Sequence, residues 1–147
     1  MNRIFLLLAI VTLAFGCNTK TKENKVTTTA TWNPPVAGTV IDKYEEKVTE
    51  DKINDIYFRV IVKATDSSKY GHFAITLERG GNKNETDFDL PKWNKGIILK
   101  PVLKKGNKPY ECFLGFDAGD GVFKDFYQIK VDEKKSIVMK QTTGYYQ

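Results

Sequence analysis

Apolar side chains in this chain recur at every second position, and this alternation limits the fold more than any other feature. The pattern runs through residues 56–63, 70–78, 110–116 and 126–131, with turn-forming Gly, Asn, Asp and Ser between the runs. Successive side chains of a β-strand point to opposite faces, so a period of two places one apolar face against a core. Residues 41–56, the best helical candidate, have poorly spaced apolar positions. We therefore predict an all-β fold: a single antiparallel β-sandwich or small barrel of about seven strands.

The length of the chain fits one such domain. Its 147 residues carry a net charge of +5, and they leave no room for a two-domain enzyme or a polytopic membrane protein. The content of aromatic and β-branched residues is too high for a disordered chain.

The N-terminus has a different pattern. Arg3 precedes an apolar run from Ile4 to Phe15, which is followed by Gly16 and Cys17. A basic start, a short apolar segment and a small residue form the secretory signal pattern. Such a run rises only about 18 Å as a helix, which is short of a ~30 Å hydrocarbon core, so a permanent transmembrane anchor is not expected.

The segment Leu13 to Cys17 resembles the lipobox of bacterial lipoproteins, in which a dedicated peptidase cuts before a cysteine that carries diacylglycerol. Gly16 fits the small residue before the cysteine, whereas Ala14 and Phe15 depart from the commonest pattern. The resemblance implies a signal peptide over residues 1–16 and covalent diacylglycerol and fatty acid on Cys17, with no other cofactor. The alternative is ordinary cleavage near Gly16, with Cys17 as an incidental thiol.

Residues 17–35 are interpreted as the lipidated cysteine and a flexible tether, and residues 36–147 as the β-domain. The tether is rich in Thr, Lys, Asn and Glu and ends in two prolines. Val26 to Trp32 could instead pair as an edge strand. By the same resemblance, Asn18 rather than Asp after the cysteine favours the outer over the inner membrane of the bacterial cell envelope.

A basic segment without acidic residues lies between Pro91 and Tyr110. Pro101 donates no ladder hydrogen bond, so residues 97–103 are predicted to form an edge strand or a bulge. Lysine and proline often protect such edges from unwanted pairing. Alternatively, the hairpin faces anionic lipid headgroups or an acidic partner. The residues of this possible interaction surface are Lys92, Trp93, Lys95, Lys100, Lys104, Lys105 and Lys108.

Residues suited to catalysis or metal binding are sparse. His72 is the single histidine, so a site with two histidine ligands is excluded. Asp87 and Asp89 could share one strand face, but no nucleophile motif frames the serines. Asp117 to Gly121 fails the calcium-loop spacing and is interpreted as a hairpin turn. Cys112 lies at strand spacing and is predicted to be buried. We expect neither an enzyme nor a metal site.

The expected function is that of a non-enzymatic, lipid-anchored cell-envelope protein whose β-domain binds another envelope or secretion-system component. In architecture and size the chain is similar to the small β-sandwich lipoprotein that fastens the type VI secretion membrane complex to the outer membrane. The expected partners are the membrane, through the lipid anchor, and an envelope protein, with no nucleic acid. The alternatives are a surface lipoprotein that binds glycans or small ligands through Trp93 and tyrosines, and a small hydrolase.

Overall fold

The computed structural model describes residues 32–93 and 97–142, and these residues form strands joined by short connections. A single 3₁₀ turn, Ser68–Tyr70, lies between the second and third strands. The strands are β1 (Val40–Lys47), β2 (Tyr57–Ala64), β3 (His72–Arg79), β4 (Asn82–Asp89), β5 (Lys100–Lys105), β6 (Glu111–Asp117), β7 (Phe123–Val131) and β8 (Ile137–Gln141).

Two four-stranded antiparallel sheets contain all eight strands. Each sheet is a meander, one in the order β1-β2-β3-β4 and the other in the order β5-β6-β7-β8, and neither closes into a barrel. The all-β prediction is confirmed, and of its two forms the structure has the sandwich. The described residues contain one strand more than the predicted number of about seven.

The core lies between the sheets and contains the residues that the alternation placed there. In β2, the side chains of Phe58, Val60 and Val62 are fully buried, and in β6 those of Cys112 and Leu114 are fully buried. The period of two therefore identifies the core-facing side chains of β2 and β6, as expected for sheets that are covered on one side.

The alternation is interrupted in β7. Phe126 and Ile129 are both buried, although a strict period of two would place them on opposite faces. The pairing of β6 with β7 shifts between Leu114 and Gly115. A bulge of this kind adds one residue to β7 and reverses which side chains face the core before it.

The two long sides of the sandwich differ. On one side β1 lies beside β5, and the Oδ2 atom of Asp42 accepts a hydrogen bond from the Leu103 N–H at 2.7 Å. β5 is the edge strand predicted from Pro101, and this carboxylate covers part of its edge. On the other side, where β4 and β8 end their sheets, a cleft lies between the β3–β4 hairpin and the β7–β8 turn, so this side of the sandwich is more open.

Several predictions fall on residues outside the described ranges: the signal peptide, Cys17, the tether as far as Thr31, and Lys95. Trp32, which was assigned to the tether, is described. Its ring centroid lies 6.2 Å from that of the buried Phe73, so it packs against the core. Among the described residues no helix has the length and apolar character to cross a bilayer.

Candidate interaction surface

The outer face of the β1–β4 sheet is charged, but its charges are paired with one another. Arg59 bonds Glu45 at 2.6 Å and Glu78 at 2.9 Å, and Lys83 bonds Glu85 at 2.8 Å. The hydrogen bonds from Lys43 and Arg59 lower the pKa of Glu45 below its ordinary value, and the bond from Lys83 does most to lower the pKa of Glu85. This face therefore presents a surface whose charges largely compensate each other.

The outer face of the β5–β8 sheet is different, and we call it the basic face. Its lysines are exposed, and within residues 32–93 and 97–142 they take part in no ion pair. Half-buried apolar side chains lie among them. By strand register, the outward side chains of this face include Lys100, Val102, Lys104, Phe113, Phe123, Lys130 and Lys140. The register also turns Asp117 and Asp125 outward. Asp117 accepts N–H groups of its own loop, and Asp125 accepts the Thr142 hydroxyl.

Phe123 is the first residue of β7, and its ring leans toward the middle of the basic face. The Nζ atom of Lys104 lies 4.6 Å from the centroid of its ring, which is a cation–π distance. The ring leans over Gly115, where an added Cβ would lie 2.8 Å from a ring carbon and 2.0 Å from the carbonyl oxygen of Lys124. Only glycine leaves room for this approach, so Gly115 places the aromatic ring beneath a lysine of the neighbouring edge strand.

Glu111 holds the lysine-rich turn between β5 and β6. Its side chain is only 4% exposed. One carboxylate oxygen accepts the backbone N–H groups of Asn107 and Lys108 at 3.0 and 3.1 Å, and the other accepts the Gln128 amide at 2.6 Å. The carboxylate is thus satisfied inside the protein by backbone and amide donors. It takes part in no ion pair with a described lysine.

The predicted interaction residues do not all share one surface. Lys100 and Lys104 point outward from β5 on the basic face, and Lys105 and Lys108 are exposed at the end of the strand and in its turn. Lys92 is exposed before the strand. Trp93 is half-buried, with its ring centroid 5.3 Å from that of Phe116, so this tryptophan packs against the core. Lys95 lies outside the described residues.

Sequence reasoning missed the part of the basic face contributed by β6, β7 and β8. Phe113 could have been found, because it alternates with the buried Cys112 and Leu114 and must face outward. Lys130 alternates with Ile129 in the same way. Phe123 could not have been found from the sequence, because the bulge in β7 reverses the face to which its side chain points.

The candidates for catalysis form a charged cluster on the outer face of the β1–β4 sheet. The Nδ1 atom of His72 lies 2.8 Å from Asp89, and its Nε2 atom lies 3.7 Å from Asp87. Both carboxylates are exposed at the β4 edge. Asp117 caps its loop by accepting the Gly119 N–H at 2.7 Å, as expected for a hairpin turn. No group of three potential metal ligands occurs among the described residues.

Cys112 is a buried free thiol, as predicted. Burial does most to raise its pKa, to about 12, and the nearby carboxylates of Glu111, Asp42 and Glu46 add to the shift. A thiol in this state is a poor nucleophile, because the thiolate is the reactive form.

Comparison of the chain with protein-family models, with curated proteins and with solved structures finds no match.

Proposed function

We propose that the protein is a lipid-anchored component of the bacterial cell envelope, at the outer rather than the inner membrane, whose β-sandwich docks on an acidic surface of another envelope protein. Cys17 carries the lipid, and the basic face makes the contact. An accessory lipoprotein of a type VI secretion apparatus is one form of this proposal. The domain acts by binding, without catalysis.

The observation that carries the proposal is the contrast between the two outer faces. The β1–β4 face neutralises its own charges, whereas the lysines of the basic face have no ion-pair partner among the described residues. An acidic partner would supply those counter-charges. The rings of Phe113 and Phe123 would supply apolar contact area at the centre, as aromatic residues do at protein interfaces.

The tether keeps this contact close to the membrane. Trp32 packs on the core, so the free length from Cys17 to the domain is the stretch before it. That stretch reaches about 50 Å when fully extended and about 20 Å as a random coil. A partner at the same membrane is therefore within reach of the domain.

Matched neutralising variants test the proposal. The first carries Lys100→Gln, Lys104→Gln and Lys130→Gln on the basic face. The second carries Lys43→Gln, Lys63→Gln and Lys83→Gln on the other sheet, so both lose three positive charges. After cross-linking in cells and purification of the lipoprotein, the first should lose its co-purifying protein, and the second should retain it.

The salt dependence of the interaction provides a further control. Exposed charge pairs are screened within about 8 Å at physiological ionic strength, so when the cross-linker is omitted, raising the salt during purification should release the wild-type partner. Equal recovery of the partner by both variants would contradict docking through the basic face.

A cleft near Trp93 favours a second candidate, the binding of a glycan or small ligand. The cleft has a volume of about 290 Å³, and Tyr70, Trp93, Ile97 and Ile98 contribute to its lining. Tyr70 is 74% exposed, and a flat exposed aromatic ring next to a tryptophan is a suitable platform for a sugar. Glycan titration followed by tryptophan fluorescence, compared with a Trp93→Phe variant, tests this candidate. An unchanged wild-type signal with every sugar would eliminate it.

A further inference from the structure

The open side of the sandwich contains a basic cleft, separate from the basic face. It lies between the β3–β4 hairpin and the β7–β8 turn, and its volume is about 670 Å³. Leu77 and Ile137 contribute apolar surface, and the amide side chains of Asn82 and Asn84 contribute polar surface.

Arg79 occupies a position in this cleft where the sequence pattern would place an apolar residue. The side chains of β3 that alternate toward the core are Phe73, Ile75 and Leu77, and Arg79 is the next in the series. Its register partner in β2 is the fully buried Phe58. A charged group on the inner face of a sheet is costly unless something pairs with it.

The guanidinium of Arg79 is incompletely paired. Its side chain is 17% exposed, and Nη2 lies 3.5 Å from a carboxylate oxygen of Glu50, whose own side chain is 64% exposed. Its Nε atom is buried and has no hydrogen-bond partner in the part of the chain that the structure describes. Because the buried Nε is closed to solvent, a ligand would reach this guanidinium through its terminal Nη N–H groups.

The lining of the cleft has the charge that an anion requires. Arg79, Lys83, Lys134 and Lys135 contribute to it, and no carboxylate does. Lys83 is paired with Glu85, whereas Lys134 and Lys135 have no ion pair within the described ranges. Lys135 and Arg79 also line the neighbouring cleft beside Glu50.

From this combination we infer that the cleft is a binding site for an oxyanion, a carboxylate or a phosphate group. Arg79 donates to the anion through its terminal guanidinium N–H groups, and Lys134 and Lys135 add positive charge at the rim. The site is distinct from the basic face and goes beyond the proposed docking function.

The test is an NMR titration of the full chain, in which the Nε–H resonance of Arg79 is followed at constant ionic strength. The two probes are a hexaglutamate peptide and inorganic phosphate, with chloride as the reference anion. At least one probe should give a saturable shift. Saturation by the peptide alone identifies a carboxylate, and saturation by phosphate alone identifies a phosphate group.

Variants distinguish this site from general attraction to a basic protein. Arg79→Lys keeps the charge but loses the planar guanidinium with its several N–H donors, and it should weaken binding at least tenfold. The double variant Lys134→Ala and Lys135→Ala changes exposed residues, so it tests the site even if Arg79→Lys folds poorly, and it should weaken binding several-fold. The basic-face variant with Lys100, Lys104 and Lys130 changed to Gln should bind as the wild type does.

Two results would overturn the inference. One is the absence of saturation with both probes. The other is binding that survives Arg79→Lys in a folded protein but is lost in the basic-face variant, because this would assign the anion to the other sheet. Loss of the co-purifying protein in the basic-face variant bears on the proposed function alone, so the two proposals fail independently.

Discussion

Replacement of Gly115 by alanine should destabilise the protein more than any other glycine-to-alanine change at a position with an ordinary backbone conformation. Gly115 lies at the bulge where the antiparallel pairing of β6 with β7 shifts register. An added Cβ would meet the carbonyl oxygen of Lys124 at 2.0 Å and its carbonyl carbon at 2.8 Å. Both atoms belong to the backbone, so neither can rotate away as the end of a side chain would.

The size of the effect follows from this geometry. A relaxed carbon–oxygen contact is about 3.3 Å or longer, so β7 would have to move by roughly 1.3 Å. Overpacking of this kind costs about 1–3 kcal/mol, and the loss of one ladder hydrogen bond costs about 1 kcal/mol. We expect Gly115→Ala to lower the free energy of unfolding by about 3 kcal/mol. With a urea m-value near 2 kcal/mol per molar, the midpoint falls by about 1.5 M.

The assay is urea unfolding followed by tryptophan fluorescence. Gly81→Ala is the matched control, because an added Cβ there meets nothing within 4 Å and its φ is not positive. That control should leave stability unchanged or raise it slightly, by up to about 1 kcal/mol. If Gly115→Ala destabilised the protein no more than Gly81→Ala does, the close approach of β6 to β7 and the placement of Phe123 would both be refuted.

Three further outcomes follow from the structure and the sequence. Cys112 should react with iodoacetamide at pH 8 only as fast as the protein unfolds, because its pKa is raised to about 12 by burial; rapid labelling of the native state would contradict that burial. Cys17→Ser should abolish palmitate incorporation, and normal incorporation would overturn the lipid anchor. Because the pKa values of Glu45 and Glu85 are lowered in the folded state, their stabilising contribution is present above the unfolded-state pKa and is lost as the pH falls through the folded-state pKa. Acid should therefore lower the melting temperature of the wild type more than that of a variant with Gln at both positions; equal acid sensitivity would refute this contribution.

The strands that could be predicted are those with one fully buried face. In β2, buried and half-buried residues alternate along the whole strand, so the sequence period and the structure agree. β4 is the opposite case: of its residues only Phe88 is buried, because the inner face near its start borders the open cleft. Its polar sequence carries no apolar alternation, and pairing with β3 determines its conformation. The strand β1, rich in charges, was missed for the same reason.

The candidate sites also combine features that are visible in the sequence with features that depend on tertiary structure. The charge run from Lys100 to Lys108 is visible in the sequence, and so is the edge strand implied by Pro101. The bulge that turns Phe123 outward is a tertiary feature, since extending the alternation of Tyr127 and Ile129 back to Phe123 would place its ring in the core. The cleft around Arg79 arises where two sheets separate, and no local pattern of residues encodes that separation.

Site-specific photo-crosslinking in cells tests the central claim most directly. A photoreactive residue replaces Phe113 or Lys104 on the basic face, or Ile61 or Glu85 on the outer face of the β1–β4 sheet. We predict one discrete protein adduct from the two basic-face positions and none from the other two. Adducts from Ile61 and Glu85 alone, or none from Phe113 and Lys104, would contradict docking through the basic face.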